Sequence, residues 1–423
     1  MTGSSSAPLA GFFPKSVETP FVVSARLALA NAEPAVCALW EPYQQRAAAV
    51  LLEKSIPTGR TEEWQYVSLV PLHEKKVVGA EARPVLAREI PHVNFCRLSE
   101  AVAGRGEAWG RELMARHVMD RSFADGDAAT FKILNRALTS DPWVLWIDSG
   151  AQVSDVIEVS WKACAGVLAH GMLLIDLPSQ CKADLIERYG AGCDALIVET
   201  TLALGKNAHC EYMRIQDGDA SSVVLTAPSV NVARDAHCRL VQVSTGARVG
   251  REDLLVELIA EGAEAHLDGV YVARGQQTLD HHTAIRHCVG PTVSRQIYKG
   301  ILSEESRGVF NGRVEIVRDA SGSNSSQINK NLMLSRKAEI DTKPELRIDN
   351  DDVKAAHGAT IGRLDPEHVF YLRSRGLSEG LAVDLLSRGF ALDVLERVVS
   401  PELRRQGQEF LSAKLTGLSW EMA

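Results

Sequence analysis

The chain has 423 residues, 45% of them hydrophobic and 24% charged, with a formal net charge of -8. That length exceeds one ordinary domain, and the composition is that of a soluble globular protein with a sizeable core. An acidic balance without a basic block excludes a general nucleic-acid binder, because neutralising phosphates needs clustered Lys and Arg.

The first residues, "MTGSSSAPLAGFFPKS", lack a charged segment followed by a long apolar one, so no secretory signal is expected. No apolar run approaches the roughly 18 residues that a membrane span needs. These two features give a cytoplasmic location and no membrane partner as expectations. None of the eight cysteines falls in a C-x-x-C pair. Most are read as buried small hydrophobes rather than zinc ligands or a redox dithiol.

Residues 21–55 are rich in Ala and Leu and predict helices interrupted at Pro34 and Pro42. "GRGEAWG" (Gly104, Gly106, Gly110) only approximates a dinucleotide fingerprint, follows no clear strand, and reads as a loop. "RHVMDRSFADGDAATFKILNRALTS" is again mostly helical, with a break at Gly126. An N-terminal helical domain is therefore expected over 1–140.

The character changes at "DPWVLWIDSG". From 141 to 362 the chain favours short apolar runs, alternation and frequent Gly, Asp and Asn, which is the signature of strands. Inside it lies a repeat: "AHCEYMRI" begins at Ala208, "AHCRLVQV" at Ala236 and "AHLDGVYV" at Ala265, spaced by 28 and 29. Strand-built repeats of that period point to a β-helix, in which each coil buries its apolar face against the next. An antiparallel sandwich with coincidental similarity is the alternative. In a β-helix His209, His237 and His266 would stack about 4.8 Å apart. They are read as outward polar residues rather than as a metal site.

"DHHTAIRHC" gathers Asp280, His281, His282, His287 and Cys288. On a strand, His281 and His282 face opposite sides and cannot ligate one ion together. After Ile361 the pattern is helical. Asp365 caps a helix with Pro366 in its first turn and Gly376 as its stop, Ser378 caps a second, and "SPE" at Ser400 starts a third. A C-terminal helical domain over 363–423 follows. There is no G-x-x-x-x-G-K-[ST] phosphate loop, so nucleotide hydrolysis by this chain is not expected, and there is no G-x-S-x-G or H-E-x-x-H motif.

His357 stands in "DNDDVKAAHGATIG", residues 349–362, between the last clear strand and the first C-terminal helix. It is the only metal-capable side chain between Lys354 and Thr360. Small neighbours would let another backbone or subunit approach it. A histidine satisfied by local backbone groups is the competing interpretation.

"SRQIYKGILSEESRGVFNGRVEIV", "NKNLMLSRKAEIDTKPELRIDNDDVKAAHGATIGRL" and "HVFYLRSRGL" resemble the SufB/SufD family of iron–sulfur cluster assembly proteins, and most of all its SufD branch. "PTGRTEEWQYVSL" near residue 57 is similar to that branch's N-terminal signature. The resemblance implies a mainly β chain, with a right-handed parallel β-helix core flanked by N- and C-terminal α-helical domains. It implies pairing with a SufB-like paralogue through the β-helices and docking of a SufC-like ABC ATPase on the C-terminal helices. A transient iron–sulfur cluster would be shared with the paralogue. Reduced flavin as a further cofactor, and a homodimer when the paralogue is absent, stay open.

The family pattern "DDVK-C-x-HGAT" makes His357 a candidate cluster ligand at the paralogue interface, but places a cysteine where this chain has Ala355. Either the paralogue supplies the thiolates and His357 completes the site, or the chain keeps only a structural role. Asp351 and Asp352 match the family's acidic pair and are read as a solvated strand end, and His287 as a structural residue. Tyr371, Arg373 and Arg375 are candidates for docking the ATPase. A β-helical polysaccharide lyase or hydrolase is the rival from another class, disfavoured by 6% aromatic residues and by the lack of a repeated carboxylate pattern.

Overall fold

The computed structural model describes residues 12–74, 80–117, 129–162, 168–190, 192, 194–418 and 420. Gly126, Cys164 and Cys193 lie outside these. The molecule is mainly β. From Trp143–Ile147 to Lys354–Arg363, successive strands alternate between two parallel sheets. Thus Val293–Leu302 pairs with Glu264–Ala273 on one side and Asn324–Met333 on the other. The intervening Thr278–His287 and Arg307–Ile316 pair with each other in the second sheet. Parallel pairing between strands one coil apart excludes the antiparallel sandwich and makes the core a parallel β-helix of about seven turns.

The corners follow from local chemistry. Gln180, Asn207, Asp235 and Gly262 all take positive φ and recur every 27 or 28 residues. Asn, Asp and Gly tolerate that left-handed conformation. The corner backbones form their own ladder, with the Asn207 N–H on the Arg234 carbonyl and the Asp235 N–H on the Glu261 carbonyl, 3.0 and 3.1 Å. At Pro228 one coil's strand is split into Val223–Thr226 and Ser229–Val232, since proline brings no N–H to the ladder.

The repeat is real, but its third copy slips. His209 lies opposite His237, yet His237 lies opposite Glu264, and His266 faces Arg239. The two-residue slip preserves the inward and outward faces, so the sequence similarity survives it.

The flanks cover different sheets. Phe21, Trp64, Phe131 and Ile133 from the N-terminal segment pack on Ile197, Leu225 and Val249. Val369, Leu403 and Leu411 from the C-terminal helices pack on Met213, Val241 and Val270 of the other sheet. Strands covered on both faces, such as Ala195–Leu204, are therefore buried throughout. The N-terminal segment also differs from the helical expectation. Ala80–Glu81, Arg83–Leu86 and Val93–Arg97 are strands that join the two sheets of the β-helix. Pro42 sits in the first turn of the helix Glu41–Leu51 and starts it rather than interrupting it. "GRGEAWG" is not a loop: it joins the helices Leu98–Arg105 and Glu107–His117 through Gly106 at φ 91°.

Candidate functional site

Helices cover the sides of the β-helix, but its C-terminal end is open. Strand Lys354–Arg363 ends one sheet and Glu339–Ile348 ends the other. All but one residue of the former is exposed. From Ala355 to Gly362 this edge carries neither a formal charge nor a proline to block pairing with another chain.

Register fixes what the edge presents. Ala355, His357, Ala359 and Ile361 lie opposite Ser325, Gln327, Asn329 and Asn331. Those four partners are buried in the lumen, so His357 and Ala355 share the lumen-facing side of the last coil, with His357 exposed at its mouth. Ala355 is half-buried against the core.

The lumen beneath is polar near this end. Gln327 Nε2 donates to Gln296 Oε1 at 2.7 Å, and Gln296 Nε2 donates to Thr283 Oγ1 at 2.7 Å. Tyr271 OH and Asn331 Nδ2 extend a second chain to Asn329, which also accepts from Thr342 Oγ1 at 2.9 Å. The tyrosines fit because Gly269 and Gly300 lie under their rings; a Cβ at either would come within 2.4 Å of ring carbons. Deeper in, Arg214 bridges Glu187, at 3.0 Å, and Glu252. Tyr212, Thr200 and Trp161 also donate to Glu187. Burial acts to raise both carboxyls. The guanidinium and these donors hold Glu187 below its ordinary range, while Glu252 stays above it.

The remaining histidines separate cleanly. His287 is buried with Nδ1 2.7 Å from Thr292 Oγ1 and Nε2 2.9 Å from Ser294 Oγ, which is a structural place. His281 faces the lumen between Tyr271 and Tyr298, whereas His282 faces outward, 3.0 Å from Asp280. His209 and His237 stack with centroids 4.8 Å apart and planes 4° from parallel. Lone pairs on parallel rings run side by side and do not converge on one ion, and His237 is instead 3.1 Å from Glu264. Asp351 and Asp352 are exposed, and Asp352 accepts from Ser321 Oγ at 2.5 Å. The "PTGRTEEWQYVSL" segment straps the other sheet: Trp64 lies 3.8 Å from the Arg251 guanidinium, and Glu62 pairs with Lys343 at 2.8 Å. Beside it runs a cleft of about 320 Å³.

At the C-terminal helices, Asp365 accepts from Glu367 N–H at 2.8 Å and Ser378 from Leu381 N–H at 3.3 Å, as their capping pattern predicts. Tyr371 is exposed, with Arg375 5.2 Å over its ring. Arg373 pairs with Glu379 at 3.0 Å, tying the first of these helices to the second. Sequence reasoning missed the apolar residues around them: Phe370, Leu381 and Leu385 are 71%, 57% and 52% exposed. Their signal was present, because helix Glu379–Leu392 is apolar on more than the face it buries. Gln296 and Gln327 were missed for a different reason, since only register places them below His357.

The molecule is a filled β-helix, clad in helices on both sheets and ending in an exposed edge strand. Residues 161–390 match SUF system FeS cluster assembly, SufBD core domain, and the protein belongs to that family. It is 28% identical over 413 residues to an iron–sulfur cluster assembly SufBD family protein of Synechocystis, covering 88% of this chain and 90% of that one. It is 26% identical over 394 residues to the iron–sulfur cluster assembly protein SufD of Escherichia coli, covering 89% and 93%. A SufBD family protein of Mycobacterium tuberculosis matches at 27% over 366 residues, covering 83% and 87%. No helix among the described residues is long and apolar enough to cross a membrane.

Proposed function

We propose that the chain is a SufD-like subunit of a scaffold that builds and transfers iron–sulfur clusters. It pairs with a SufB-like paralogue through the bare last coil and docks a SufC-like ATPase on its C-terminal helices. The observation that carries this is the exposed edge strand Lys354–Arg363, paired on one side only, with His357 at the mouth of the lumen. The cluster is cargo. The paralogue supplies thiolates, the better match for iron–sulfur chemistry, and His357 adds one nitrogen ligand. The ATPase lies against Phe370, Leu381 and Leu385, with Tyr371, Arg373 and Arg375 beside them.

Ala355 favours a second reading, in which this chain recruits the ATPase and supports the paralogue without touching the cluster. The lyase or hydrolase alternative has less support, since two acids of the cleft are engaged by cations: Asp253 binds Arg251 at 2.7 Å and Glu62 binds Lys343 at 2.8 Å.

Anaerobic co-expression with the cognate SufB-like and SufC-like chains separates the two scaffold readings. Wild type and His357→Ala are compared for complex composition, iron and acid-labile sulfide. An intact complex with several-fold less cluster is expected. An intact complex with unchanged cluster selects the purely structural role.

A further inference from the structure

We infer that Gln327 is the positioning residue for His357: its side-chain carbonyl accepts the imidazole N–H from the lumen and turns the other ring nitrogen outward. This inference rests on the reading of His357 as a cluster ligand. It names the residue that makes a lone imidazole a directed one.

The argument is an accounting of donors and acceptors along one column. Leu267, Gln296, Gln327 and His357 occupy successive coils at matching register. Thr283 Oγ1, from the opposite sheet, accepts from Gln296; Gln296 Oε1 accepts from Gln327. Each amide thus gives its N–H inward and offers its oxygen toward the open end. The oxygen at the end of this chain, Gln327 Oε1, is buried and has no partner, and the residue as a whole is 1% exposed. A buried amide oxygen requires a donor, and the next side chain on the column is His357, one strand spacing away.

The consequence is chemical. Neutral imidazole has one N–H and one lone pair, and whichever nitrogen donates leaves the other to ligate. An acceptor fixed behind the ring selects the tautomer and the ring's orientation, as outer-shell acceptors do for metal-bound histidines. Ala355 removes the sulfur that would otherwise share the work on this side, so the direction of the one remaining ligand matters more. The ladder is anchored by Thr283, two strands in from the end of its sheet, and so is in place before a partner arrives.

Long-range ¹H–¹⁵N correlation on the His357 ring of the full chain tests this, at a pH well above the usual imidazole pKa of about 6.5. Wild type is expected to show one tautomer. Gln327→Met, which keeps length but removes the amide acceptor, is expected to show both, and Gln327→Glu, which keeps an acceptor, to restore one. In the complex with SufB-like and SufC-like chains, Gln327→Met is expected to retain iron about 10-fold more weakly, with complex composition unchanged. A mixture of tautomers already in wild type overturns the inference without any variant. So does the same single tautomer in wild type and Gln327→Met; if His357→Ala then still loses cluster, the scaffold reading stands and only the role of Gln327 falls. A tautomer that depends on Gln327, with His357→Ala leaving iron unchanged, keeps the hydrogen bond and overturns the cluster reading beneath it.

Discussion

His357 is an exposed imidazole on a strand whose neighbouring lumen-facing positions, Ala355, Ala359 and Ile361, carry no metal-binding group. The sequence made it conspicuous by surrounding it with small residues. The amide column below it was not legible, because Gln296 and Gln327 are ordinary polar residues until register stacks them. Ala355 is the informative departure from the family pattern, and it can be reversed. Ala355→Cys places a thiolate on the same face two residues away, which suits a soft iron centre better than nitrogen alone. Iron and sulfide retained by the anaerobic complex against a chelator are expected to rise several-fold in this variant, and to rise less when His357→Ala is added. Equal retention in Ala355→Cys and wild type would place the cluster out of reach of this strand.

Among elements, the C-terminal helices show how far local rules extend. Asp365 and Ser378 cap their own helices, as their positions predict. Ser400 makes no side-chain cap of its own. The Glu211 carboxylate, from strand His209–Gly218, instead accepts the Val399 and Ser400 N–H groups at 2.9 and 2.5 Å, and Arg239 holds it at 3.2 Å. The start of helix Pro401–Leu415 is thus finished by the β-helix, which no reading of residues 399–415 alone reveals. Glu211→Ala removes this cap at a cost of about 0.5–2 kcal/mol. Hydrogen exchange is expected to accelerate over 399–415 while the strands Val249–Leu258 and Thr278–His287 keep their protection. Leu381→Glu on the exposed face of the preceding helix is expected to remove ATPase co-purification without lowering the melting temperature. Retained co-purification would move the docking surface elsewhere.

Over the whole molecule, packing decides which histidines carry charge. Burial drives His170, His281 and His287 from the ordinary imidazole value down to about 4. The unfolded chain therefore binds more protons than the folded one between pH of about 6.5 and 4. The stabilisation is complete above the unfolded pKa and is lost as pH falls through this window, by up to about 3 kcal/mol for each residue. His287→Gln, which retains partners for Thr292 and Ser294, is expected to flatten the fall in urea-unfolding free energy by about 1.4 kcal/mol per pH unit. An unchanged slope would show that His287 is accessible to protons in the folded state. The sequence by itself determined the strand character of 141–362, the roughly 28-residue coil period, the C-terminal helix starts at Asp365 and Ser378, and the prominence of His357. Each of these depends on side-chain alternation, turn chemistry or neighbours within a few positions, which a linear chain displays directly. Only the tertiary structure decided the two-residue slip at His266, the strands within the N-terminal segment, the cap supplied by Glu211 and the lumen column ending at Gln327. Those depend on contacts between residues from 13 to 189 positions apart, set by how coils stack rather than by what any one segment prefers.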